Sequence, residues 1–203
     1  MEDGVGQQRG VLDVPQDRGL YSFRNEHDAC GVGMVANLDN KAEHAIIENG
    51  LTVLKRLMHR GAAGGDPETG DGAGLLFSIP DKFFRKVLKK TKLPPVGQYG
   101  VAVVFGGKGY EKAIEKIAET EGVKTLVWRE VPVHPEFIGH SARETCPAIR
   151  QLFLDGSAFT DRAVFERKLF IIRRLIEKNV ADCYLPSCSC KSIVYKGLLL
   201  ATQ

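Results

Sequence analysis

Cys30 is the residue of this sequence best placed for covalent chemistry. It follows a polar segment, residues 1–29, and precedes Gly31, which leaves its C-terminal side uncrowded. A thiol is a weak nucleophile unless a base or a positive field lowers its pKa. Cleavage of the Ala29–Cys30 bond would create an α-amine with a reference pKa of about 8, which could take the thiol proton. Cys30 would then be both nucleophile and general base; the alternative is a structural cysteine at the start of a strand.

Three further cysteines lie close together near the end of the sequence. Cys183, Cys188 and Cys190 form the pattern C-x4-C-x-C, which lacks the two-residue gaps usual for metal-binding cysteine pairs. We therefore expect small strand residues here, with metal or iron–sulfur ligation as the alternative. Cys146, next to Pro147, has no chemical partner in the neighbouring sequence and is expected to be structural.

Two glycine patterns suggest nucleotide-binding loops, but neither has the required context. The segment from Gly31 to Ala36 matches G-x-G-x-x-A, yet no strand precedes it and its apolar residues suit a strand. The segment from Gly106 to Gly109 follows an apolar run but lacks the Lys-Ser/Thr ending of a phosphate-binding loop. We expect a plain glycine turn at 106–109, with an anion site as the alternative.

Composition narrows the classes of protein to consider. The chain has 203 residues, 43% apolar and 26% charged, as in an ordinary globular domain, and its five cysteines favour a reducing compartment. It contains no apolar run of the roughly 18 residues that a membrane helix needs. A net charge of +3 gives no electrostatic case for nucleic acid. Residues 1–29 have six acidic and three basic residues and no apolar core, which argues against a targeting peptide.

The elements that must position these residues follow from periodicity and from Gly and Pro signals. Strands are predicted at 30–37, 75–79, 100–105, 125–133, 182–185 and 192–200. Helices are predicted at 41–58, 80–88, 110–121 and 161–178, the last capped by Thr160, and a glycine-rich loop at 59–74. This order favours an α+β sandwich with some antiparallel pairing. The basic cluster at 85–92 is expected to be a solvated helix face rather than a site for an anionic partner.

The stretch from Cys30 to Arg85 begins CGVGMVANLDN and contains HRGAAGGDPETGDGAG. It resembles the glutamine amidotransferase domain of the glutamate synthase large chain. CPAIRQLFL and the C-terminal CYLPSCSCKSIVYKGLLLATQ resemble the same family, so the resemblance covers Cys30 to Gln203. It implies the αββα sandwich of N-terminal nucleophile hydrolases. It also implies a propeptide or leader at residues 1–29 and the N-terminal part of a class II amidotransferase domain at 30–203.

The resemblance also implies a reaction. In this family a propeptide is removed, a cysteine thiolate attacks the side-chain amide of L-glutamine, ammonia leaves, and water releases glutamate. The ammonia then reaches 2-oxoglutarate in a separate barrel domain. By resemblance, Cys30 is the nucleophile and, through its freed amine, the general base.

Four residues are expected to support the pocket. By resemblance, Gly31 lies beside the nucleophile, and Arg60 and Gly61 belong to the family's HRG motif, in which Arg60 orients the terminal cysteine. A guanidinium also favours a nearby thiolate; a surface arginine at a helix end is the alternative. Asp71 lies in the family's TGDGAG motif and is expected to hold this loop by hydrogen bonds.

Other parts of the family's site have no counterpart in residues 1–203. These are an RFSTNT-like segment for the glutamine α-carboxylate and an HNGEINT segment for the oxyanion hole. Losing one oxyanion donor typically lowers the rate about 100- to 1000-fold, so this chain alone is expected to be inactive or nearly so. The resemblance implies no cofactor or metal in this chain, and FMN and an iron–sulfur cluster in the rest of the enzyme.

The resemblance implies as partners L-glutamine, the remainder of the large chain, and an electron-donor subunit or ferredoxin. No nucleic acid and no membrane is expected. The expected compartment is the cytoplasm, or the plastid stroma in a eukaryote. Two alternatives stay open: a non-catalytic or partner-completed subunit of a split glutamate synthase, and an N-terminal-nucleophile amidohydrolase for another amide.

Overall fold

The computed structural model describes residues 31–57, 66–70, 72–106 and 109–199. The chain divides into two compact units, Met1–Val32 and Gly33–Gln203. All helices and strands given below belong to the second unit. No helix among the described residues is long and apolar enough to cross a membrane.

Five helices and six strands occur in the described residues. The helices are α1 (His44–Arg56), α2 (Asp81–Val87), α3 (Glu111–Thr120), α4 (His140–Glu144) and α5 (Arg162–Asn179). The strands are β1 (Ala73–Ser78), β2 (Tyr99–Gly106), β3 (Lys124–Glu130), β4 (Ala148–Asp155), β5 (Tyr184–Ser189) and β6 (Ser192–Gly197). A short 3-10 turn, Pro135–Phe137, lies between β3 and α4.

The strands form two antiparallel sheets. One has four strands in the order β3-β4-β2-β5, and the other pairs β1 with β6. The inner strand β2, YGVAVVFG, is apolar throughout because both faces of the four-stranded sheet are covered. β5 and β6 follow one another through a corner at Cys190 and Lys191, which carries the chain from one sheet to the other.

The core lies in two layers, one on each face of the four-stranded sheet. On one face, α3 and α5 bury Ile114, Leu169 and Ile172 against the strands. On the other face, Val101 and Phe153 pack toward Ile193 of the two-stranded sheet. α1 contacts β1 but has no fully buried residue. Helices α3 and α5, the four-stranded sheet and the two-stranded sheet pack in that order, and these helices and antiparallel sheets confirm the predicted α+β fold class.

The close contact of α1 with β1 depends on a glycine. A Cβ added at Gly50 would lie 3.1 Å from Leu75 Cδ2, closer than most real Cβ contacts. The presence of Gly50 within a helix, where glycine is unfavourable by roughly 1 kcal/mol, therefore has a packing reason.

The predicted strand at 30–37 is wrong for the residues that the structure describes. Residues 31–37 form no strand, and the side chains of Val32 and Met34 are 87% and 90% exposed. β-branched residues favour a strand only where they pack on a half-buried surface. Within the described part of the chain, no strand pairs with this segment.

One helix prediction also needs correction. Asp161, not Thr160, caps α5, because its carboxylate accepts a hydrogen bond of 2.7 Å from Ala163 N. In α2, Phe84 is fully buried, whereas Phe83 is exposed. The guanidinium carbon of Arg129 lies 5.3 Å from the centre of the Phe83 ring.

Strand β4 was not predicted, although it is an inner strand. Its sequence, AIRQLFLD, places Arg150 and Gln151 within the apolar run. Both side chains are buried through partners on other elements: Arg150 pairs with Glu111 of α3, and Gln151 bonds with Arg129 and Tyr195. A sequence pattern does not show such long-range partners.

Candidate functional site

The described residues border most of the predicted site rather than include it. Cys30, Arg60, Gly61 and Asp71 lie outside the described residues. Gly31 is described and is partly buried in irregular backbone. Of the residues next to Asp71, Thr69, Gly70, Gly72 and Ala73 are described.

Those residues lie at one end of the sandwich. In the four-stranded sheet, Gly106 pairs with Ala148 and Phe105 pairs with Tyr184 at this end. A small cavity of about 30 Å³ joins this region to Tyr195 and Lys196 of β6, so the same end of the two-stranded sheet lies here. Ala73, the first residue of β1, pairs with Gly197, two positions beyond Tyr195. The glycine-rich loop thus enters β1 at this end.

The last turn of that loop is bonded to the segment that begins α4. Thr69 Oγ1 accepts a hydrogen bond of 3.1 Å from Gly139 N and donates one of 3.1 Å to Asp66 Oδ2. Ser141 Oγ donates to the same Asp66 oxygen at 2.9 Å, and Glu68 N donates to Asp66 Oδ1 at 3.0 Å. We call Asp66, Thr69, Gly139 and Ser141 the loop anchor.

The Asp66 carboxylate carries a negative charge that its neighbours stabilise. Desolvation raises its pKa, but hydrogen bonds from Ser141, Thr69 and the Glu68 N–H outweigh this effect and hold the pKa below its usual value. Asp66 is therefore ionised at neutral pH and acts as a hydrogen-bond acceptor. It is not a proton donor in the loop anchor.

A second polar group crosses between the two sheets beside the small cavity. Gln151 is 0% exposed, and its Nε2 donates to Tyr195 Oη at 2.7 Å. Its Oε1 accepts from Arg129 at 2.9 Å, so both ends of the buried amide are satisfied. These bonds fix β4 relative to β3 and β6 at the end of the sandwich where the loop anchor lies.

The cysteines near the C-terminus have structural surroundings. Cys188 is buried in the core of β5, and burial raises the pKa of its thiol to about 12. Burial and the neighbouring Glu166 raise the pKa of Cys190 to about 11, and its thiol donates to Glu166 at 2.9 Å. Neutral thiols of this kind are poor nucleophiles. No three His, Cys, Asp or Glu side chains in the described ranges are grouped so as to hold a metal ion.

Glu166 holds the corner between β5 and β6. Its carboxylate accepts hydrogen bonds from Ser189 Oγ at 2.5 Å and from Cys190 N at 2.8 Å. Arg162, one turn earlier in α5, donates to Cys190 O at 3.2 Å. Burial raises the pKa of Glu166, but the hydrogen bonds from Cys190 and Ser189 lower it by more. The net result is a pKa below the usual value for glutamate.

Replacing Glu166 with glutamine should therefore destabilise the fold in a pH-dependent way. Because hydrogen bonds to a charged group contribute about 1.5–3 kcal/mol, we expect a loss of about 1–3 kcal/mol at pH 7, measured by urea unfolding. The folded pKa lies below the unfolded value of 4.5, so the carboxylate's contribution is present above that pH. It is lost as the pH falls through the folded pKa.

The control is Glu144→Gln, because this exposed carboxylate lies 3.7 Å from His140 in a solvated i,i+4 pair. Surface pairs of this kind contribute roughly 0.3–0.5 kcal/mol. Equal destabilisation by the two substitutions, or a Glu166→Gln effect that persists unchanged at pH 3, would contradict this account of the corner.

Sequence analysis did not identify the loop anchor or Glu166. Asp66-Pro67-Glu68-Thr69 does have the composition of a turn stabilised by an aspartate side chain, and that signal was available. The partners Gly139 and Ser141 lie 70 and 75 positions away from the residues they bond, so no local pattern could show them.

Comparisons with known proteins match most of the chain. Residues 30–203 match the family model described as glutamine amidotransferases class-II. The chain is 46% identical over 201 residues to the NADPH glutamate synthase large chain of Bacillus subtilis (strain 168). It is 40% identical over 199 residues to the chloroplastic/mitochondrial ferredoxin-dependent glutamate synthase 1 of Arabidopsis thaliana. It is 39% identical over 196 residues to the NADPH glutamate synthase large chain of Azospirillum brasilense.

These matches cover 94%, 91% and 90% of this chain, in that order, but only 13%, 12% and 13% of the respective relatives. The chain thus spans about an eighth of the length of these curated relatives. The family match includes most of the chain and begins at Cys30 itself. This chain belongs to the class II glutamine amidotransferase family.

Proposed function

We propose that this chain supplies the glutamine-hydrolysing site of a glutamate synthase. The observation that carries the proposal is the family match, which begins at Cys30, the residue best suited to become an N-terminal nucleophile. Removal of residues 1–29 would leave Cys30 as the first residue of the matched domain. The same 29 residues have an acidic composition and no apolar core to bury.

The proposed reaction has two halves. The α-amine of Cys30 takes the thiol proton, and the sulfur attacks the side-chain carbonyl of L-glutamine. The C–N bond then breaks, ammonia leaves with the proton that the amine had taken, and a thioester remains. Water adds to the thioester, and glutamate leaves as the thiol is restored. Arg60, Gly31, Gly61 and Asp71 are proposed to support the pocket.

The ammonia is proposed to pass to 2-oxoglutarate in another part of the enzyme. FMN and an iron–sulfur cluster are proposed to act there, as is an electron-donor subunit or ferredoxin. The donor set in the described residues does not fit an iron–sulfur cluster, because no three His, Cys, Asp or Glu side chains there are grouped to hold a metal and the Cys190 thiol bonds to Glu166. We propose a cytoplasmic location, or the plastid stroma in a eukaryote; the Arabidopsis relative is named chloroplastic/mitochondrial.

The test is product release from glutamine. The complete protein as the cell produces it, which we call the full chain, is purified with any partner that accompanies it. It should release glutamate and ammonia in equal amounts, and should act on glutamine faster than on asparagine. Residues 30–203 alone should be at least about 100-fold slower, because no oxyanion-hole segment of the family's kind lies within them. No release of glutamate by the full chain would refute the proposal. An equal rate for residues 30–203 would refute the dependence on other segments.

A further inference from the structure

Helix α2 presents both apolar and basic side chains to solvent. Phe84 is buried in the core, so the opposite side of the helix is its outer face. On that face Phe83 and Val87 lie one turn apart and are each 42% exposed. Lys82 and Lys86, at the same spacing, form a second exposed row beside them. The outer face of α2 therefore combines a small apolar patch with two positive charges.

The positive charge around this patch is concentrated and is not neutralised by the fold. Residues 81–92 contain six basic side chains and one acidic side chain, a net charge of +5, whereas the whole chain has +3. The acidic side chain, Asp81, already accepts hydrogen bonds from Arg85 Nε at 2.9 Å and from Tyr99 Oη at 3.0 Å. The other five basic residues are exposed, and none forms an ion pair with a carboxylate of the described residues; they are Lys82, Lys86, Lys89, Lys90 and Lys92.

The backbone that carries the later lysines is fixed. The basic cluster at 85–92, expected from the sequence to be one helix face, extends beyond α2, which ends at Val87. In the turn that follows, Thr91 N donates to Leu88 O at 2.9 Å. The Arg85 guanidinium also donates to Leu93 O at 3.0 Å and to Pro94 O at 2.6 Å. Because this backbone is already ordered, a partner that binds there has little loop entropy to overcome.

The exposed ring of Phe83 is supported from one side. The guanidinium carbon of Arg129 lies 5.3 Å from the centre of the ring, and Arg129 Nη1 donates to Gln151 Oε1 at 2.9 Å. Since Gln151 is buried in β4, Arg129 is tied to the core and the ring packs against a fixed cation. A supported aromatic ring that is partly open to solvent is typical of the residues that anchor protein interfaces.

We propose that these residues form a docking surface for an acidic segment of another polypeptide. We call Phe83, Val87 and the five unpaired lysines the basic surface. Apolar side chains of the segment pack on Phe83 and Val87, and its carboxylates pair with the lysines around them. This inference is independent of glutamine hydrolysis.

Other occupants fit the basic surface less well. A second copy of this chain would bring the same positive charges together, which opposes association. A nucleic acid would pair its phosphates with the lysines but would leave the apolar patch unused. A membrane surface would need more apolar area than Phe83 and Val87 provide, because interfacial binding scales with the apolar area buried. Charge and apolar character together therefore favour an acidic protein segment.

The test measures how two synthetic peptides of about 16 residues bind to the full chain, by fluorescence anisotropy in about 0.1 M NaCl. One peptide has phenylalanine at every fourth position among glutamates, and in the other serine replaces each phenylalanine. We expect the first to bind at least about 5-fold more tightly, because only its side chains cover the apolar patch. Both affinities should fall when NaCl is raised to about 0.5 M.

Charge reversal locates the binding site. Lys82→Glu/Lys86→Glu should weaken binding of both peptides at least about 10-fold, because two attractive contacts become repulsive. The matched control is Lys112→Glu/Lys116→Glu on α3, where two exposed lysines have the same spacing but lie among three glutamates of their own helix. This control should stay within about 2-fold of the parent.

The apolar patch is tested separately. Phe83→Ser should lower the affinity for the first peptide to that for the second, while the affinity for the second stays unchanged. Since the changed side chains are exposed, all variants should keep the melting temperature of the parent within about 3 °C. If Phe83→Ser does not fold, Val87→Ser makes the same comparison at the other apolar residue.

Several results would overturn the inference. Equal losses in the two double variants would indicate a general effect of charge, and equal affinity of the parent for the two peptides would remove the apolar patch from binding. Binding of neither peptide below about 1 mM would show that the basic surface does not take acidic segments. Tighter binding of a short DNA duplex or of phosphatidylserine vesicles than of the first peptide, lost in Lys82→Glu/Lys86→Glu, would assign the basic surface to that ligand instead.

Discussion

Replacement of Cys30 with alanine is expected to abolish glutamine hydrolysis by the full chain. In the proposed reaction Cys30 supplies both the sulfur that attacks the amide and the amine that takes its proton. Removing a nucleophile of this kind lowers kcat by at least about 10⁴-fold, so glutamate release should fall to the detection limit.

The matched control is Cys146→Ala, which makes the same chemical change at an exposed thiol. Cys146 Sγ has only a weak contact of 3.8 Å with Pro147 O, and we expect glutamate release within about 2-fold of the parent. Retention of more than a few per cent of parent activity in Cys30→Ala would remove Cys30 from the mechanism. Loss of activity in both variants would indicate a general effect of thiol removal.

Replacement of Phe153 with alanine is expected to cause the largest loss of stability from a single core residue. Phe153 is 0% exposed in β4 and lies between the two sheets. Its ring packs edge-on against Phe84 at 4.9 Å and stacks with Tyr99 at 6.2 Å. Truncation of a buried phenylalanine destabilises by about 3–5 kcal/mol, a large part of the 5–15 kcal/mol typical of a domain.

Urea unfolding measures this loss as a lower midpoint at an unchanged slope. The control is Phe170→Ala on α5, where the ring is 60% exposed and the expected change is below about 1 kcal/mol. Similar midpoints for the two variants would contradict the position of Phe153 in the core between the sheets.

The fold was predictable where the determining signal is local. α1, α3 and α5 show helical periodicity, and β2 is an apolar run bounded by turn residues, so each was found within a few positions of its observed limits. β4 was missed because Arg150 and Gln151 interrupt its pattern, and the partners that let them be buried come from α3, β3 and β6. The predicted strand at 30–37 had the right composition but has no partner strand among the described residues.

The candidate site, too, could be predicted only where the signal lies in the local sequence. Cys30 was identified from the chemistry of its own position and from the family resemblance, and its role stays a prediction. Asp66 and Thr69 lie in the same glycine-rich loop as Asp71, but their role depends on Gly139 and Ser141, which only folding brings near. Local sequence therefore indicated the nucleophile, while the contacts that fix the loop required the structure.

The most direct test of Cys30 as the N-terminal nucleophile is to find where an electrophilic glutamine analogue, such as a diazo ketone, reacts. The full chain is incubated with the analogue and digested, and the labelled peptide is sequenced by mass spectrometry. We predict one adduct, on the sulfur of Cys30, in a peptide that begins at Cys30 with a free amine. An adduct on another cysteine, or on a Cys30 still joined to Ala29, would contradict it.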